Sequence, residues 1–231
     1  MAVLTVLPLS PVSQDAAPAD HSIEEIWTIV VGGGGGRRFG MLKQYEDLGG
    51  RRVLDWALSA ARSVSYGVVL VVPEGFATEP GAVVGGSTRS ESVRRGLAAV
   101  PESATIICVH DAARPFADSA TFTLVIDAIR AGADGALPGV AVTDTIKVVS
   151  PEGVVESTPD RSTLVAVQTP QAFRGSVLRR AHAADGEGTD DGALVEGVGG
   201  RVVVVHGEPD NRKITHPDDL VWARGRLTAQ V

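Results

Sequence analysis

Short apolar runs alternate with amphipathic segments along most of the chain, which indicates strands and helices in turn. β-Branched residues dominate runs such as "IWTIVV" and "GVVLVV", and this composition favours strands over segments of buried helix. We predict strands at 26–31, 67–72, 82–84, 105–110 and 201–207.

The segments between these runs place apolar side chains at the three-to-four-residue spacing of a helix. In 51–64, for example, Val53, Leu54 and Leu58 share one face. In 119–132, Gly132 follows the last apolar position and is predicted to end the helix, because glycine readily adopts the left-handed conformation found there. The predicted helices are 51–64, 89–100, 119–132, 174–184, 190–200 and about 217–228.

The alternation itself predicts the fold class. Parallel strands need long crossover connections, which are usually helical and cover the sheet. We therefore predict an α/β, Rossmann-like fold, with a mainly parallel twisted sheet and helices on both faces. We expect a single domain at 25–231, preceded by a flexible N-terminal tail at 1–24 in which proline interrupts the apolar residues. A truncated signal peptide is the alternative for the tail.

The alternation of apolar runs and amphipathic segments stops near residue 138, where short apolar runs are separated by the turn sequences "SPEG" and "STPDRS". No helical period intervenes, so we predict an antiparallel β-arm at about 140–172. Such an arm has little core of its own. We therefore expect it to pack on a second copy of the chain, in a homodimer.

Composition narrows the function classes. The chain has 231 residues, of which 44% are hydrophobic, enough for one sizeable core. Its net charge of -7 argues against a nucleic-acid partner, which would require a basic surface. The apolar runs are too short to span a membrane. The single cysteine, Cys108, lies in an apolar run and fits a reducing cytosol, so we expect a buried thiol and a cytoplasmic protein.

Five consecutive glycines, Gly32 to Gly36, follow the first strand and precede a cationic cluster. A dinucleotide fingerprint does not fit, because no register places glycines at the first, third and sixth positions. A Walker loop fails because Met41 stands where lysine is required. Ligands bind at the carboxyl ends of strands in such sheets, so the run is interpreted as a phosphate cradle assisted by Arg38 and Lys43. A flexible linker is the alternative.

Asp111 lies at the end of the strand 105–110. Close to a triphosphate, a carboxylate is repelled unless a cation bridges the two, so we expect Mg²⁺ at this point. Helix capping or a pair with Arg114 is the alternative for Asp111. The five histidines show no ligand spacing, which disfavours zinc.

Three polar segments remain. The segment 85–93 is interpreted either as a base-reading loop, through backbone groups and Ser87 or Ser92, or as a helix start capped by Ser90. Arg161 in the arm could form a bidentate fork with a phosphate, although a surface arginine is the common outcome. Asp190 and Asp191 at a helix start are candidates for simple caps.

Several of these segments together resemble one family. The segments "GGGGGRRFG…KQY", "GGSTRSESVRRGL", "VHDAARPF", "VTDTIK", "VQTPQAF", "TDDGALVE" and "DNRKIT" occur in the order typical of 2-C-methyl-D-erythritol 4-phosphate cytidylyltransferases. The resemblance covers residues from about 26 to 228. It implies a nucleotidyltransferase that moves CMP from CTP to a sugar-alcohol phosphate with Mg²⁺, in the non-mevalonate isoprenoid precursor pathway.

The resemblance also implies roles for particular residues. Arg38 and Lys43 would stabilise the transition state, Arg161 and Lys213 would position the acceptor phosphate, and Asp111 would bind the metal. The remaining binding residues that it implies are Gly32, Gly33, Gly34 and Gly36 at the triphosphate, Gly86, Ser87 and Ser92 around the cytosine, and Thr145 and Thr169 at the acceptor. In family dimers the arm reaches across, so Thr145 and Arg161 would serve the neighbouring subunit.

The chain departs from the usual pattern at three places. It has Gly32-Gly33-Gly34 where an Ala-Ala-Gly start is usual, Leu42 where a proline usually precedes Lys43, and Ser87 at a position that is acidic in some members. Two alternatives therefore stay open: a ribitol 5-phosphate cytidylyltransferase, and a nucleotide-binding homologue that has lost catalysis. A nicotinamide oxidoreductase is disfavoured by the glycine spacing.

Overall fold

The computed structural model describes residues 24–34, 42–79, 81–183 and 186–228. Apart from Glu24, the predicted tail lies outside the described residues, as do Gly36 and Arg38. The strands are β1 Ile26–Val31, β2 Gly67–Val72, β3 Ala82–Val84, β4 Ile106–Asp111, β5 Gly135–Ala141, β6 Val148–Val149, β7 Val155–Ser157, β8 Val165–Val167, β9 Gln171–Arg174 and β10 Val202–His206. The helices are α1 Val53–Val64, α2 Arg89–Ala98, α3 Ser119–Arg130, α4 Gly175–Ala183, α5 Asp191–Gly197 and α6 Pro217–Thr228.

The main sheet has the order β10-β5-β9-β4-β1-β2-β3, and β8 pairs with β5 beyond this path. The pairs β1–β2, β1–β4, β2–β3 and β10–β5 are parallel. Strand β9 runs antiparallel between β4 and β5. The prediction of a mainly parallel sheet is confirmed.

Helices cover both faces, as predicted. On one face, α1 and α3 bury Leu54, Phe122 and Ile126 against the sheet. On the other face, α2, α4 and α5 pack through Val93, Leu178 and other apolar residues. Helix α6 closes a smaller cluster with residues near the start of α1. None of the described helices combines the length and apolar composition that a membrane span requires.

Two strands were not predicted, β5 and β9. Strand β5 contains Pro138, which cannot donate to a ladder, and two glycines that permit close approach. A Cβ atom at Gly139 would lie 2.7 Å from Val204 Cγ1, so the packing against β10 depends on its absence. Strand β9 is short and leads straight into α4, and its sequence was included partly in the arm and partly in the following helix.

The predicted arm forms short antiparallel pairs. Strands β6 and β7 make a two-stranded sheet of their own, and β8 pairs with β5. All of their residues are exposed. The packing of this arm on a second copy stays a prediction.

Parallel strands place their carboxyl ends at one edge of the sheet. Because β1 lies between β4 and β2, the loops after β1, β3 and β4 meet at that edge. The polar segments singled out in the sequence follow these three strands, and the fold therefore brings them together.

Candidate functional site

A cavity of about 510 Å³ opens at the carboxyl ends of these strands. Its wall is formed by the glycine loop, the turn after it, the start of α2, the end of β4 and the segment before α6. The lining residues are Val31, Gly32, Gly33, Gly34, Lys43, Gln44, Gly86, Ser87, Thr88, Arg89, Ser92, Asp111, Ala112, Ala113, Lys213 and Thr215.

The first glycines form the floor of the cavity by close packing of the backbone. The N–H of Gly32 donates to Val71 O at 2.7 Å, which continues the sheet one residue beyond β1. A Cβ atom at Gly33 would lie 3.2 Å from Ser92 Oγ and 3.4 Å from Gly85 Cα. The loops after β1 and β3 therefore approach each other more closely than larger side chains would permit.

Lys43 enters the cavity from a 3-10 helix, Lys43–Tyr45, that follows the glycine loop. The next residue, Gln44, is buried and donates from Nε2 to two carbonyl oxygens, Gly32 O at 2.7 Å and Gly34 O at 3.3 Å. Gln44 belongs to the "KQY" motif, and no role was predicted for it from the sequence.

Asp111 ends β4 and projects into a cluster of cations. Its Oδ2 atom accepts a hydrogen bond from Lys213 Nζ at 2.7 Å and lies 3.8 Å from Arg114 Nε, while Oδ1 lies 3.6 Å from Arg89 Nε. Burial alone raises the pKa of the Asp111 carboxyl, but the charges of Lys213, Arg89 and Arg114 outweigh it and hold this pKa well below its usual range. Asp111 is thus ionised at neutral pH.

Thr169 and His110 support Asp111 from behind. The N–H of Asp111 donates to Thr169 Oγ1 at 3.0 Å, and the same hydroxyl lies 3.1 Å from Nδ1 of the buried His110. Asn211 Nδ2 donates to Thr169 O at 2.9 Å, and Arg114 Nη1 donates to Asn211 O at 2.6 Å. These bonds fix the segment that carries Lys213 against the end of β4.

A second wall continues from the cavity toward Pro73 and Val84, and it contains the predicted base-reading loop. Ser92 Oγ accepts from Gly86 N at 3.0 Å and donates to Thr88 O at 2.9 Å. Glu91 Oε2 accepts from Ser87 N at 2.6 Å and from Ser87 Oγ at 2.8 Å, and these bonds lower the pKa of Glu91 to about 2. The loop is therefore rigidly held.

The structure corrects the helix-cap alternative for this segment. The side chain of Thr88, rather than that of Ser90, caps α2 by accepting from Glu91 N. Ser90 Oγ instead accepts from Gly188 N at 3.3 Å, in the segment before α5. Asp190 does cap α5, since it accepts from Ala193 N.

The predicted site residues divide into four groups. Those that line the cavity are Gly32, Gly33, Gly34, Lys43, Gly86, Ser87, Ser92, Asp111 and Lys213. Thr169 lies behind the wall, and Thr145 and Arg161 are exposed in the arm, where Arg161 Nη1 donates to Thr143 O at 2.7 Å. Gly36 and Arg38 lie outside the described residues, and their roles stay predictions.

A buried ion-pair network that was not predicted from the sequence lies beside the cavity. Arg89 Nη1 lies 2.8 Å from Oδ2 of the fully buried Asp191, and Oδ1 of that carboxylate lies 3.0 Å from His182 Nε2. Asp191 therefore belongs to an ion-pair network and is not the cap of α5. The local sequence around Asp191 does not indicate this role, because its partners Arg89 and His182 lie on α2 and α4.

The cavity offers few side-chain ligands for Mg²⁺. Asp111 is the one carboxylate among the described residues that line the cavity, and no group of three metal-ligating side chains occurs in the described part of the chain. Mg²⁺ commonly takes one or two carboxylates and completes its shell with substrate phosphates and water. The cavity thus fits a magnesium ion that arrives with a polyphosphate.

Comparison with known proteins identifies close relatives. The family model described as IspD: 2-C-methyl-D-erythritol 4-phosphate cytidylyltransferase matches residues 26–229. A Rhodococcus jostii protein named 2-C-methyl-D-erythritol 4-phosphate cytidylyltransferase is 45% identical over 193 residues, covering 79% of this chain and 85% of that protein. The Bifunctional enzyme IspD/IspF of Solidesulfovibrio magneticus is 41% identical over 222 residues, or 84% of this chain. The present chain spans about half of that bifunctional relative, 55% of its length.

Solved structures agree in fold. The 2-C-methyl-D-erythritol 4-phosphate cytidylyltransferase of Thermus thermophilus superposes with a TM-score of 0.74 at 33% identity, over 90% of this chain and 98% of the other. The 4-diphosphocytidyl-2C-methyl-D-erythritol synthase of Anaerococcus prevotii gives a TM-score of 0.76 at 29% identity, over 89% and 99% of the two chains.

Proposed function

The chain belongs to the 2-C-methyl-D-erythritol 4-phosphate cytidylyltransferase family, and on that premise we propose that it transfers CMP from CTP to 2-C-methyl-D-erythritol 4-phosphate. The products are pyrophosphate and a cytidine diphosphate ester in the pathway to isoprenoid precursors. The observation that carries this proposal is the cavity itself, where a glycine loop, Lys43, Lys213 and an ionised Asp111 meet beside a rigid loop suited to a base.

The reaction requires no covalent bond to the protein. An oxygen of the acceptor phosphate forms a bond to the α-phosphorus of CTP, and the bond from that phosphorus to the bridging oxygen of pyrophosphate breaks. Negative charge increases on the equatorial and leaving oxygens, so catalysis rests on positioning and on fixed positive charge. Lys43 supplies that charge at the glycine loop, and Arg89 and Lys213 supply it on the side of Asp111.

We assign Mg²⁺ to Asp111 as part of the same proposal. The ion would neutralise phosphate charge and orient the triphosphate. Lys213 and Arg89 hold the two carboxylate oxygens in place, which keeps Asp111 aimed at the cavity. The low pKa of this carboxyl keeps it available as a ligand at neutral pH.

The homodimer also belongs to this proposal. The arm exposes apolar side chains, with Val148, Val149 and Val155 exposed by 43%, 54% and 54%. Exposed valines on a projecting arm are typical of an interaction surface. In a dimer this surface would be covered, and Thr145 and Arg161 would reach the acceptor side of the partner's cavity. We propose a cytoplasmic location, supported by the buried free thiol of Cys108.

A pyrophosphate-release assay with a panel of substrates tests the proposal. CTP is offered with 2-C-methyl-D-erythritol 4-phosphate, with ribitol 5-phosphate and with no acceptor, and UTP and ATP replace CTP in parallel reactions. We expect release only with CTP and methylerythritol phosphate. Release with ribitol phosphate alone would assign the chain to the neighbouring family, and measurable CTP binding without any release would indicate a non-catalytic homologue.

A further inference from the structure

We propose that Gln44 is a positioning residue that orients the phosphate-binding loop and links it to Lys43. This inference rests on the proposed function, because it assigns a task to Gln44 within the same cavity. Gln44 is nearly fully buried, with 3% of its surface exposed, although it is polar and follows directly after a lysine that faces the cavity. A buried amide in such a place needs partners on both hydrogens.

Both hydrogens of the amide are used on the glycine loop. Gln44 Nε2 lies 2.7 Å from Gly32 O and 3.3 Å from Gly34 O. The two carbonyls flank Gly33 and are drawn toward the same nitrogen. The side chain thus bonds the loop at two points, the carbonyl oxygens of Gly32 and Gly34.

This arrangement determines where the backbone N–H of Gly33 points. In a planar trans peptide, the N–H of one residue is directed opposite to the preceding C=O. Since Gly32 C=O points toward Gln44, the N–H of Gly33 points away from it. Within the described residues, the N–H groups of Gly33 and Gly34 donate to no other protein group. They are therefore available to a bound anion.

The same bonds remove an unfavourable charge. A carbonyl oxygen turned into the cavity would repel a phosphate, whereas one that accepts from Gln44 is held out of its path. Glycine can rotate its peptides easily, so a glycine run needs an external group to select one orientation. Gln44 supplies that selection, and the two glycine carbonyls are the only acceptors that its amide nitrogen has among the described residues.

Gln44 also fixes the position of Lys43. The two residues are adjacent in one turn, Lys43–Tyr45, and no side chain caps the start of this turn at Leu42. The bonds from Gln44 to the loop therefore tie the turn to β1. Gly32 to Gly34 and Lys43 are thus tied together through Gln44, so that the lysine keeps its distance from a phosphate bound by these glycines.

Replacement by methionine tests the role of the donor. Gln44→Met keeps the shape of the side chain and removes both N–H donors. We expect affinity for inorganic pyrophosphate with magnesium, measured by titration calorimetry, to fall at least 10-fold, with a matching rise in the KM for CTP. The KM for the acceptor should change less than 2-fold. Unchanged pyrophosphate affinity in a folded Gln44→Met protein would overturn the proposal.

Gln171→Met is the matched control. Gln171 is 1% exposed and also donates from Nε2 to two acceptors, Gln168 O and Asp190 Oδ2, but it does not contact the glycine loop. Both variants should lose thermal stability to a similar degree. Only Gln44→Met should lose pyrophosphate affinity, and an equal loss in the control would assign the effect to general destabilisation and overturn the proposal.

Replacement by glutamate adds a readout that a merely structural role would not change. The Gln44→Glu carboxylate has no hydrogen to donate and faces two carbonyl oxygens, so its pKa is raised. On protonation it regains one donor for Gly32 O. We expect pyrophosphate affinity relative to wild type to recover as the pH falls from 8 to 6 in Gln44→Glu and to stay constant in Gln44→Met. Parallel pH profiles for the two variants would contradict the proposal.

The experiment separates this inference from the function on which it rests. Wild-type protein that neither binds pyrophosphate nor turns over CTP would remove the proposed function. Wild-type protein that does both, alongside variants with unchanged affinity, would remove only the role of Gln44.

Discussion

Asp111 is the residue on which most of the site's charges converge. The sequence showed that a carboxylate ends β4, and the alternative it left open, a pair with Arg114, is present at 3.8 Å. The sequence could not show that Lys213 is the nearest partner, at 2.7 Å, or that Arg89 faces the other oxygen. Those contacts join residues far apart in the chain, which no local pattern records.

Replacing this carboxylate should change stability in a pH-dependent way. Asp111→Asn removes the carboxylate charge shared by three half-buried cations, Lys213, Arg89 and Arg114, and we expect about 3 kcal/mol less stability at pH 7. The folded-state pKa of Asp111 is depressed, so the stabilisation is present above the unfolded pKa and is lost as the pH falls below about 4. Urea unfolding at pH 7 and pH 3 measures the free energy of unfolding of both proteins. The difference between wild type and variant should be smaller at pH 3. A stability difference that is independent of pH would contradict stabilisation by the ionised Asp111 carboxylate.

His110 gives a second pH dependence with its own range. Burial lowers the pKa of His110 to about 4, so the folded protein keeps this ring neutral while the unfolded chain binds a proton below about 6.5. Stability is therefore lost as the pH falls from about 6.5 to 4, by about 3 kcal/mol in total. His110→Gln should remove this part of the pH dependence in urea unfolding. If the free energy of unfolding of the variant still falls between pH 6.5 and 4, another group causes the pH dependence.

At the scale of elements, α2 begins at the cavity and its carboxyl end packs against α4. Its first turn presents Arg89, Glu91 and Ser92 to the site. Its carboxyl end is held by Arg179 of α4, which donates to Leu97 O, Val100 O and Pro101 O at 3.2, 3.0 and 2.8 Å. A cation at the carboxyl end of a helix also interacts favourably with the helix dipole.

Removal of this contact should destabilise the fold without affecting the cavity directly. We expect Arg179→Ala to lower the free energy of unfolding by about 1–2 kcal/mol, because three carbonyls lose a charged donor. Arg180→Ala is the control, since Arg180 is exposed on the same helix. Guanidinium unfolding followed by circular dichroism measures both. Equal stability of the two variants would show that the carbonyls are satisfied in another way.

The elements show where prediction from sequence succeeds. Helices α1 and α3 have a clear apolar face, and both were located within two residues of their ends. Strands β5 and β9 were missed because their burial comes from neighbours: Phe173 packs over Gly135, and β9 lies between β4 and β5. Site residues that directly follow a strand were predicted from the sequence. Gln44 and Asp191 were not, because their contacts exist only in the folded protein.

At the scale of the whole molecule, the cavity is a basic region in an acidic protein. The net charge is -7, yet Lys43, Arg89 and Lys213 line one opening. In the proposed reaction, two anionic substrates enter it together. The net negative charge of the chain disfavours other polyanions such as nucleic acid, while the local cations attract small phosphates.

The proposed dimer makes a prediction about mixed subunits. If Arg161 serves the partner's cavity, then Arg161→Ala and Lys43→Ala proteins should each be strongly impaired, by at least 100-fold, because each removes a phosphate-binding cation from every site. Dimers refolded from an equal mixture should regain activity, since one of the two cavities in each hybrid is intact. Pyrophosphate release measures the recovery.

The control for this experiment is a mixture of Lys43→Ala with Lys213→Ala. Both of these residues line the same cavity of one chain, so every site in a hybrid remains defective. No recovery is expected from that mixture. Equal recovery in both mixtures, or in neither, would contradict an arm that completes the partner's site.

The position of β9 has a consequence for synthesis on the ribosome. Val109 of β4 pairs with Gln171, and Ala172 pairs with Ala136 of β5, so the centre of the sheet needs residues translated long after β4. Until those residues emerge, β4 keeps an unsatisfied edge that can recruit strands from other nascent chains. Nascent chains that stall before residue 171 should therefore depend on chaperones, because the central sheet can be completed only after the arm has been translated.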